Sequence, residues 1–348
     1  GRVTVFRPTF ARIDLEAIRV NYEFARSLAP GCRAVAVIKA DAYGHGMQPV
    51  AGALADAADA FAVATLDEAL QLRDAGIALP LLVLEGTATP DGVEAARQAG
   101  LVLTVHSREQ AEWVRGSGVS TWLKIDTGMH RLGVGPDDVQ DILALLQDDD
   151  VQAICTHLAC ADAVDNGTTR DQLAVFAACT AGIGLPRSIA NSAGILAWPD
   201  SHADWNRPGI MLYGVSPFAT GSELAAELRP AMSMEAEIIA LRDLAAGESV
   251  GYGSRWTATR PTRIATVAAG YADGYPRHAP NGTPAFVNGH RVPLVGTVSM
   301  DMITLDLTEE GTHQRVSSAV DQSIEIVRRR IDELGTTEPT IQRQGADR

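Results

Sequence analysis

The spacing of apolar positions changes period along the chain. From residue 16 onward, short apolar stretches rich in small and β-branched residues read as strands: AVAVIK (34–39), AFAVAT (60–65), LLVLE (81–85), LVLTV (101–105), TWLKID (121–126), AICTHL (153–158), SIANS (188–192) and NRPGIMLYG (206–214). Between them lie segments of helical period such as ATLDEALQLRDAG (64–76), which ends on Gly76 as a helix should. Eight strands separated by helices predict an α/β fold, a (β/α)8 TIM-type barrel over about residues 10–225.

Beyond about residue 225 the helical period gives way to β-branched runs punctuated by Gly, Pro and Asn-Gly, including the hairpin-like FVNGHRV (286–292). Residues 226–312 are therefore expected to form a small, mainly β domain. The β-prone VTVF (3–6), within residues 1–9, is expected to join it as a strand. In the tail, 313–348, Val320, Ile324, Val327, Ile331 and Leu334 recur at helical spacing, Ser317 or Ser318 can cap the start, and Gly335 closes the end. That pattern predicts an amphipathic helix.

Polar residues punctuate the barrel pattern at telling places. Lys39, His106, Lys124, His157 and Ser192 fall at or just past the C-terminal ends of predicted strands, with Arg207 near the start of the eighth unit. Barrel active sites are built on that face. Taken singly, each could be an ordinary loop residue or a satisfied core histidine; their joint placement favours a site. VAVIKADAYGHG (35–46) raises the sharpest question, because a buried strand ends there on an ammonium group. A lysine at a barrel mouth serves as a general base, or as a Schiff-base amine toward a carbonyl substrate or pyridoxal phosphate (PLP). Tyr43, in the Gly-rich turn after it, can offer a hydroxyl to a phosphate. Arg131, in WLKIDTGMHRLG (122–133), can grip a carboxylate or phenolate through two parallel hydrogen bonds. Small residues in IANSAG (189–194) and NRPGIMLYG leave hydroxyl and backbone N–H groups free to approach a phosphate, though a plain turn is the alternative for each.

Composition narrows the class. The 348 residues are 46% hydrophobic and 21% charged, which suits a folded globular protein, and the net charge of −14 argues against a protein that tracks nucleic-acid phosphates. No apolar run is long enough to span a bilayer, and GRVTVFRPTF lacks the regions of a signal peptide, so a soluble cytoplasmic protein without a membrane partner is expected. Cys32, Cys155, Cys160 and Cys179 are too few and too irregularly spaced for a disulfide framework or a metal site, and read as buried thiols.

Eight stretches in order, AVIKADAYGHG, KIDTGMHRLG, THLACAD, ANSAG, NRPGIMLYG, VGYGSRWTA, AGYADGYPR and GTVSMDM, resemble the fold-type III PLP-dependent alanine racemases over about residues 10–310. The resemblance implies that Lys39 holds PLP as a Schiff base, its low-dielectric setting favouring the neutral amine, and serves as one of two catalytic bases. Tyr252 would be the base on the opposite face, supplied by the second subunit of a homodimer; removing the Cα proton from one face and returning it on the other inverts the centre. Arg131 would bind the cofactor's phenolic oxygen and the substrate carboxylate, with Lys124 a candidate for carbamylation that orients it. Arg207 would face the pyridine nitrogen and, as a guanidinium that only donates, keep it unprotonated. His157 would orient Arg207 from behind. Tyr43, Ser192, Gly209 and Ile210 would cradle the phosphate, and across the dimer Tyr271, Met300 and Asp301 would line the entrance and substrate pocket, favouring a small amino acid.

The resemblance also implies further β strands and a terminal phosphate-binding tyrosine after MDMITLDL. Residues after Glu310 read otherwise, so the β domain is expected to be incomplete. Residues 320–348 resemble instead a stretch of the protein-export membrane protein SecD, as a gene fusion or a joined coding sequence would produce. Alongside an alanine racemase, the altered C-terminus leaves open a broader or serine-preferring racemase and a PLP-binding barrel without racemase activity. The tail alone suggests an export-machinery fragment.

Overall fold

The computed structural model describes residues 7–219, 222–308 and 323–324. The chain divides into two compact units, one of Leu15–Arg229 and one combining Gly1–Asp14 with Pro230–Arg348.

The first strand, β1 (Thr9–Ile13), belongs to the second unit, so the barrel begins at Leu15 rather than at residue 10. Its eight parallel strands are β2 (Arg33–Val37), β3 (Ala60–Val63), β4 (Leu81–Val83), β5 (Val102–Val105), β6 (Ser120–Lys124), β7 (Val151–Cys155), β8 (Arg187–Ser188) and β9 (Trp205–Asn206). They pair in sequence order, and the ring closes where Arg33 and Ala34 meet Trp205 and Asn206. Alternate residues face inward: Val35, Val37, Ala60, Ala62 and Ala153 share the interior with Trp122, whose ring lies 5.7 Å from that of Trp205. One large indole among alanines fills the middle of the ring, as a packed barrel requires. The neighbours Ala34, Ala36 and Phe61 are buried on the outer face. There the helix Leu15–Ser27 packs with Ile18 and Tyr22 fully enclosed, and Tyr22 Oη donates to Ala34 O at 2.9 Å. The helix of the 64–76 segment spans Leu66–Asp74, capped by Thr65 and Glu68, and Gly76 comes after it in the left-handed conformation (φ 84°).

Two expected strands are much shorter than their apolar runs. After β8, Asn191 accepts from the Gly194 N–H at 3.0 Å and starts the helix Ser192–Ala197; after β9, Pro208 and Gly209 end the pairing and Ile210–Tyr213 forms a 3₁₀ turn. A side-chain cap and a proline outcompete the sheet at these two places.

In the other unit β1 lies antiparallel to the 13-residue strand β10 (Met232–Leu244). Further along the chain, β11 (Ser249–Val250) and β12 (Trp256–Thr257) form a small ladder, and β10 also pairs with β13 (Thr262–Val267). β14 (Pro284–Val287) and β15 (His290–Pro293) form the expected hairpin, turning on Asn288 (φ 53°) and Gly289 (φ 81°), as a two-residue turn demands. β16 (Ile303–Asp306) completes the path β1-β10-β13-β16. Residues 3–6 lie outside the described residues, and so does the expected tail helix except for β17 (Ser323–Ile324), which pairs with Ala236 and Glu237 of β10 as a strand.

The barrel interior rests on Trp122. Truncation to Ala is expected to destabilise the protein by about 3–5 kcal/mol, because no neighbouring alanine can fill the void. Chemical denaturation checks this, and a loss below about 1 kcal/mol would contradict the packing described.

Candidate active site

The strand that feeds Lys39 ends at Val37, two residues earlier than its apolar run, and the turn beyond Lys39 has an uncommon backbone. Ala40, Asp41, Ala42 and Tyr43 have φ between 52° and 55°, four consecutive L-residues in the left-handed helical region. Each such residue costs roughly 1–2 kcal/mol, so the turn must be held by its surroundings. The Ala40 N–H donates to Glu68 Oε1 at 2.6 Å, the Met47 N–H to Asp41 Oδ1 at 2.7 Å, and the Gly46 N–H to Asp41 O at 2.9 Å. Glu68 thus serves twice, since its other oxygen accepts from the Ala64 N–H at 2.8 Å at the cap of its own helix. Lys39 is half-buried rather than enclosed. The ring of Tyr43 packs 4.8 Å from that of Tyr213.

Around this turn the barrel gathers positive charge. Lys39, Arg131 and Arg207 lie close enough to Lys124 that, after burial itself, their charges help press its ammonium below the usual lysine range. None of these four cations forms an ion pair among the described residues. Arg207 is buried, with Nη1 donating to Ser188 Oγ at 2.5 Å and Nη2 to Thr156 O at 2.5 Å and Ile189 O at 3.2 Å. Nη2 also stands 3.5 Å from His157 Nδ1. Burial, then the charges of Arg207, Lys124, Arg131 and Lys39, holds His157 well below the ordinary imidazole range. It is therefore a neutral ring whose Nδ1 faces a donor, which leaves the proton on Nε2. Cys155, opposite Lys124 in the sheet, is fully enclosed, and burial pushes its thiol up. Of the four free cysteines only Cys155 is fully buried; Cys32, Cys160 and Cys179 are partly exposed.

Arg131 sits exposed in a loop with a rigid base. Asp126 Oδ1 accepts from the N–H groups of Gly128, Met129 and His130 at 3.0–3.1 Å. Although burial opposes it, these bonds and the nearby His130 keep the Asp126 carboxyl below its ordinary value. Gly133 closes the loop at φ 139°, where a Cβ would stand 2.4 Å from the Asp126 nitrogen. Gln172 was not foreseen in the sequence: fully buried, it donates to Thr127 Oγ1 at 3.2 Å and to His157 O at 2.9 Å, and accepts from the Ala159 N–H at 2.9 Å. It ties the Arg131 loop to the His157 loop. Nothing local marks such a residue, since one Gln on a helix resembles any other.

Ser192 and the 206–214 segment meet as expected, with one change. Ser192 Oγ accepts from the N–H groups of Gly209 (3.0 Å) and Met211 (3.3 Å), so the Gly209 N–H is already spent, while the Ser192 hydroxyl proton is left to donate elsewhere. The Ile210 N–H has no acceptor among the described residues. A Cβ on Gly209 would stand 2.9 Å from Tyr43 Oη, so glycine permits the close approach of that hydroxyl.

The remaining expected residues lie in the β unit. Tyr252 is 75% exposed, in a turn where Thr297 Oγ1 donates to its carbonyl at 2.8 Å. Tyr271, Met300 and Asp301 come together: the N–H groups of Tyr271 and Ala272 donate to Ser299 O and Met300 O, and Gly270 permits the approach, since a Cβ there would be 2.3 Å from Met300 O. Arg7 fastens the group, pairing with Asp273 at 2.6 Å and with Asp301 at 3.4 Å.

A neutral buried imidazole has a consequence for stability. The folded pKa of His157 is depressed, so its contribution is intact above the unfolded value of ~6.5 and is lost as pH falls, because the unfolded chain then binds the extra proton. His45 and His106, also lowered by burial, act in the same direction. Denaturation from pH ~7 down to ~5 should show stability declining, and more gently in His157→Gln; identical slopes would contradict the neutral assignment.

Comparison with known proteins bears on both units. The family model for the alanine racemase N-terminal domain matches residues 13–217 and that for the C-terminal domain matches 231–342, so the latter runs past Glu310 and through residues 320–342, where a likeness to SecD was expected and no comparison supports one. An alanine racemase of Chromohalobacter salexigens is 49% identical over 311 residues, 87% of this chain and 85% of that protein. The crystal structure of the biosynthetic alanine racemase from Pseudomonas aeruginosa superposes with a TM-score of 0.85 at 45% identity, covering 92% of this chain and 90% of its own. The alanine racemase of Bartonella henselae with covalently bound pyridoxal phosphate gives 0.78 at 31% identity, covering 87% and 86%. With both units matched and nearly half the aligned residues shared with such relatives, the chain belongs to the alanine racemase family.

Proposed function

We propose that this chain racemises alanine with PLP as its cofactor, supplying D-alanine for peptidoglycan, and that it acts as a cytoplasmic homodimer. The observation that carries the reading is the group of four cations, Lys39, Lys124, Arg131 and Arg207, gathered at one barrel mouth without an ion-pair partner among the described residues. Such a mouth suits a ligand bearing a phosphate, a phenolate and, on the substrate, a carboxylate. The Tyr43 hydroxyl brought close against Gly209, the Ser192 hydroxyl and the Ile210 N–H suit the phosphate. PLP thus fits the residues present. The described residues contain no helix long and apolar enough to cross a membrane.

When bound, PLP draws electrons from the substrate's Cα–H bond and makes that proton acidic. Lys39 Nζ would hold the cofactor and would take or return the proton on one face. Tyr252 Oη of the partner subunit would do the same on the other. Arg207 can only donate, and its contacts with Ser188, Thr156 and Ile189 fix it, so it would present a fixed cation to the pyridine nitrogen. His157 holds that guanidinium from behind as a neutral acceptor. Arg131 orients the substrate carboxylate. Burial, and after it three neighbouring cations, lowers the Lys124 pKa and so eases loss of the proton that uptake of carbon dioxide requires; the carbamate would turn one of four positive charges into an anion beside Arg131. Across the dimer, Tyr271, Met300 and Asp301 would crowd the pocket toward a small side chain.

The test is formation of D-alanine from L-alanine by the purified protein with saturating PLP, alongside L-serine and L-lysine. Alanine should be the preferred substrate, and Tyr252→Phe should lower the rate by about 10²–10⁴ while PLP uptake persists. No D-alanine from the parent protein, or a Tyr252→Phe rate equal to it, would contradict the two-base reading.

A further inference from the structure

The left-handed turn after Lys39 has a side chain of its own beneath it. His45 is buried, its Nδ1 stands 3.0 Å from Ala42 O and 3.1 Å from Tyr43 O, and its ring lies 4.5 Å from the Tyr213 ring. Two carbonyls can only accept, so Nδ1 carries the proton and Nε2 carries a lone pair. That Nε2 is buried with no hydrogen-bond partner. An orphaned nitrogen is a cost a phenylalanine would avoid, so ring stacking alone does not account for an imidazole here. The donor at Nδ1 does, because Ala42 and Tyr43 are the last two residues of the strained turn. Tyr213 completes the arrangement: its ring faces both His45 and Tyr43, and its Oη donates at 3.0 Å to the carbonyl of Val37, where β2 ends. The turn is thereby held at its strand end by Tyr213 and at its far end by His45.

We propose that His45 is a positioning residue for Lys39 and Tyr43: its Nδ1–H, shared between the carbonyl oxygens of Ala42 and Tyr43, keeps the 40–43 turn left-handed and so fixes the amine and the phenol relative to each other. The consequence for the cofactor rests on the reading of Lys39 as its amine; the hold on the turn does not. The contacts of the His45 ring are to the turn and to Tyr213, so it acts through them. Its protonation on Nε2 is disfavoured by the same burial, so the contact is that of a neutral ring.

Three variants separate donor from ring. His45→Phe keeps a ring against Tyr213 but has no donor, His45→Asn places an amide N–H near the Nδ1 position without a ring, and His45→Gln carries its N–H further out, toward the Nε2 position. Two quantities are read in the full-length protein: PLP affinity from the visible absorbance of the bound cofactor, and hydrogen–deuterium exchange across residues 38–46, where the N–H groups of Ala42, His45 and Gly46 report the turn. Phe and Gln variants should exchange faster and bind PLP roughly tenfold more weakly, with Asn restoring both to within about threefold, the scale of one buried hydrogen bond. Asn and Gln variants that exchange equally fast overturn the proposal, as do three variants that all match the parent; this comparison stands even if the Phe variant fails to fold. If the parent protein takes up no PLP on Lys39, the proposed function fails, while the order of exchange rates still decides the role of His45.

Discussion

Mutual repulsion among Lys39, Lys124, Arg131 and Arg207 is the constraint around which the barrel mouth is organised. The Cys155 thiol beside Lys124 could carry the opposite charge, but its pKa is pushed up by burial and it stays neutral, so it does not discharge the cluster. The structure meets the repulsion with neutral acceptors: backbone carbonyls and Ser188 around Arg207, and an imidazole held uncharged at His157. What remains is an unspent demand for anions. A phosphate, a phenolate and a carboxylate would meet it, which is why these residues suit a phosphorylated cofactor and an amino-acid substrate together.

Rigidity at the same mouth comes from elsewhere. The left-handed turn at 40–43 is unfavourable in itself and persists because Asp41, Glu68, His45 and Tyr213 each remove one way of relaxing it. The Arg131 loop is set by the three N–H groups gathered on Asp126 and by the close approach at Gly133. Gln172 joins it to the His157 loop. Flexible cationic side chains are thus mounted on fixed backbone, and orientation in the site is settled before any ligand arrives.

The existence of the eight barrel strands was legible because their small and β-branched runs are buried on both faces and interrupted by clear helix signals. Their ends were less so. At 188–192 and 206–214 the apolar run continues after pairing has stopped, since Asn191 and Pro208 act on the backbone and not on hydrophobicity. The turn after Lys39 was invisible for a related reason: Ala, Asp, Ala and Tyr carry no signal for positive φ, and the groups that impose it come from residues as far away as Glu68 and Tyr213. Among the site residues, Lys39, Lys124, Arg131, His157 and Arg207 were legible by their charge and place in the pattern, whereas Gln172 and His45, which act only through contacts, were not. The strand at Ser323–Ile324 arises in a stretch of helical period because β10 offers it a partner, a choice local spacing does not encode.

Only two lysines occur in the 348 residues, Lys39 and Lys124, and both stand at the barrel mouth. The most direct test of the account is therefore borohydride reduction of the PLP-loaded protein followed by peptide mass mapping. The account predicts a phosphopyridoxyl adduct on the peptide that contains Lys39 and none on that containing Lys124. An adduct on Lys124, or no adduct at saturating PLP, would contradict it.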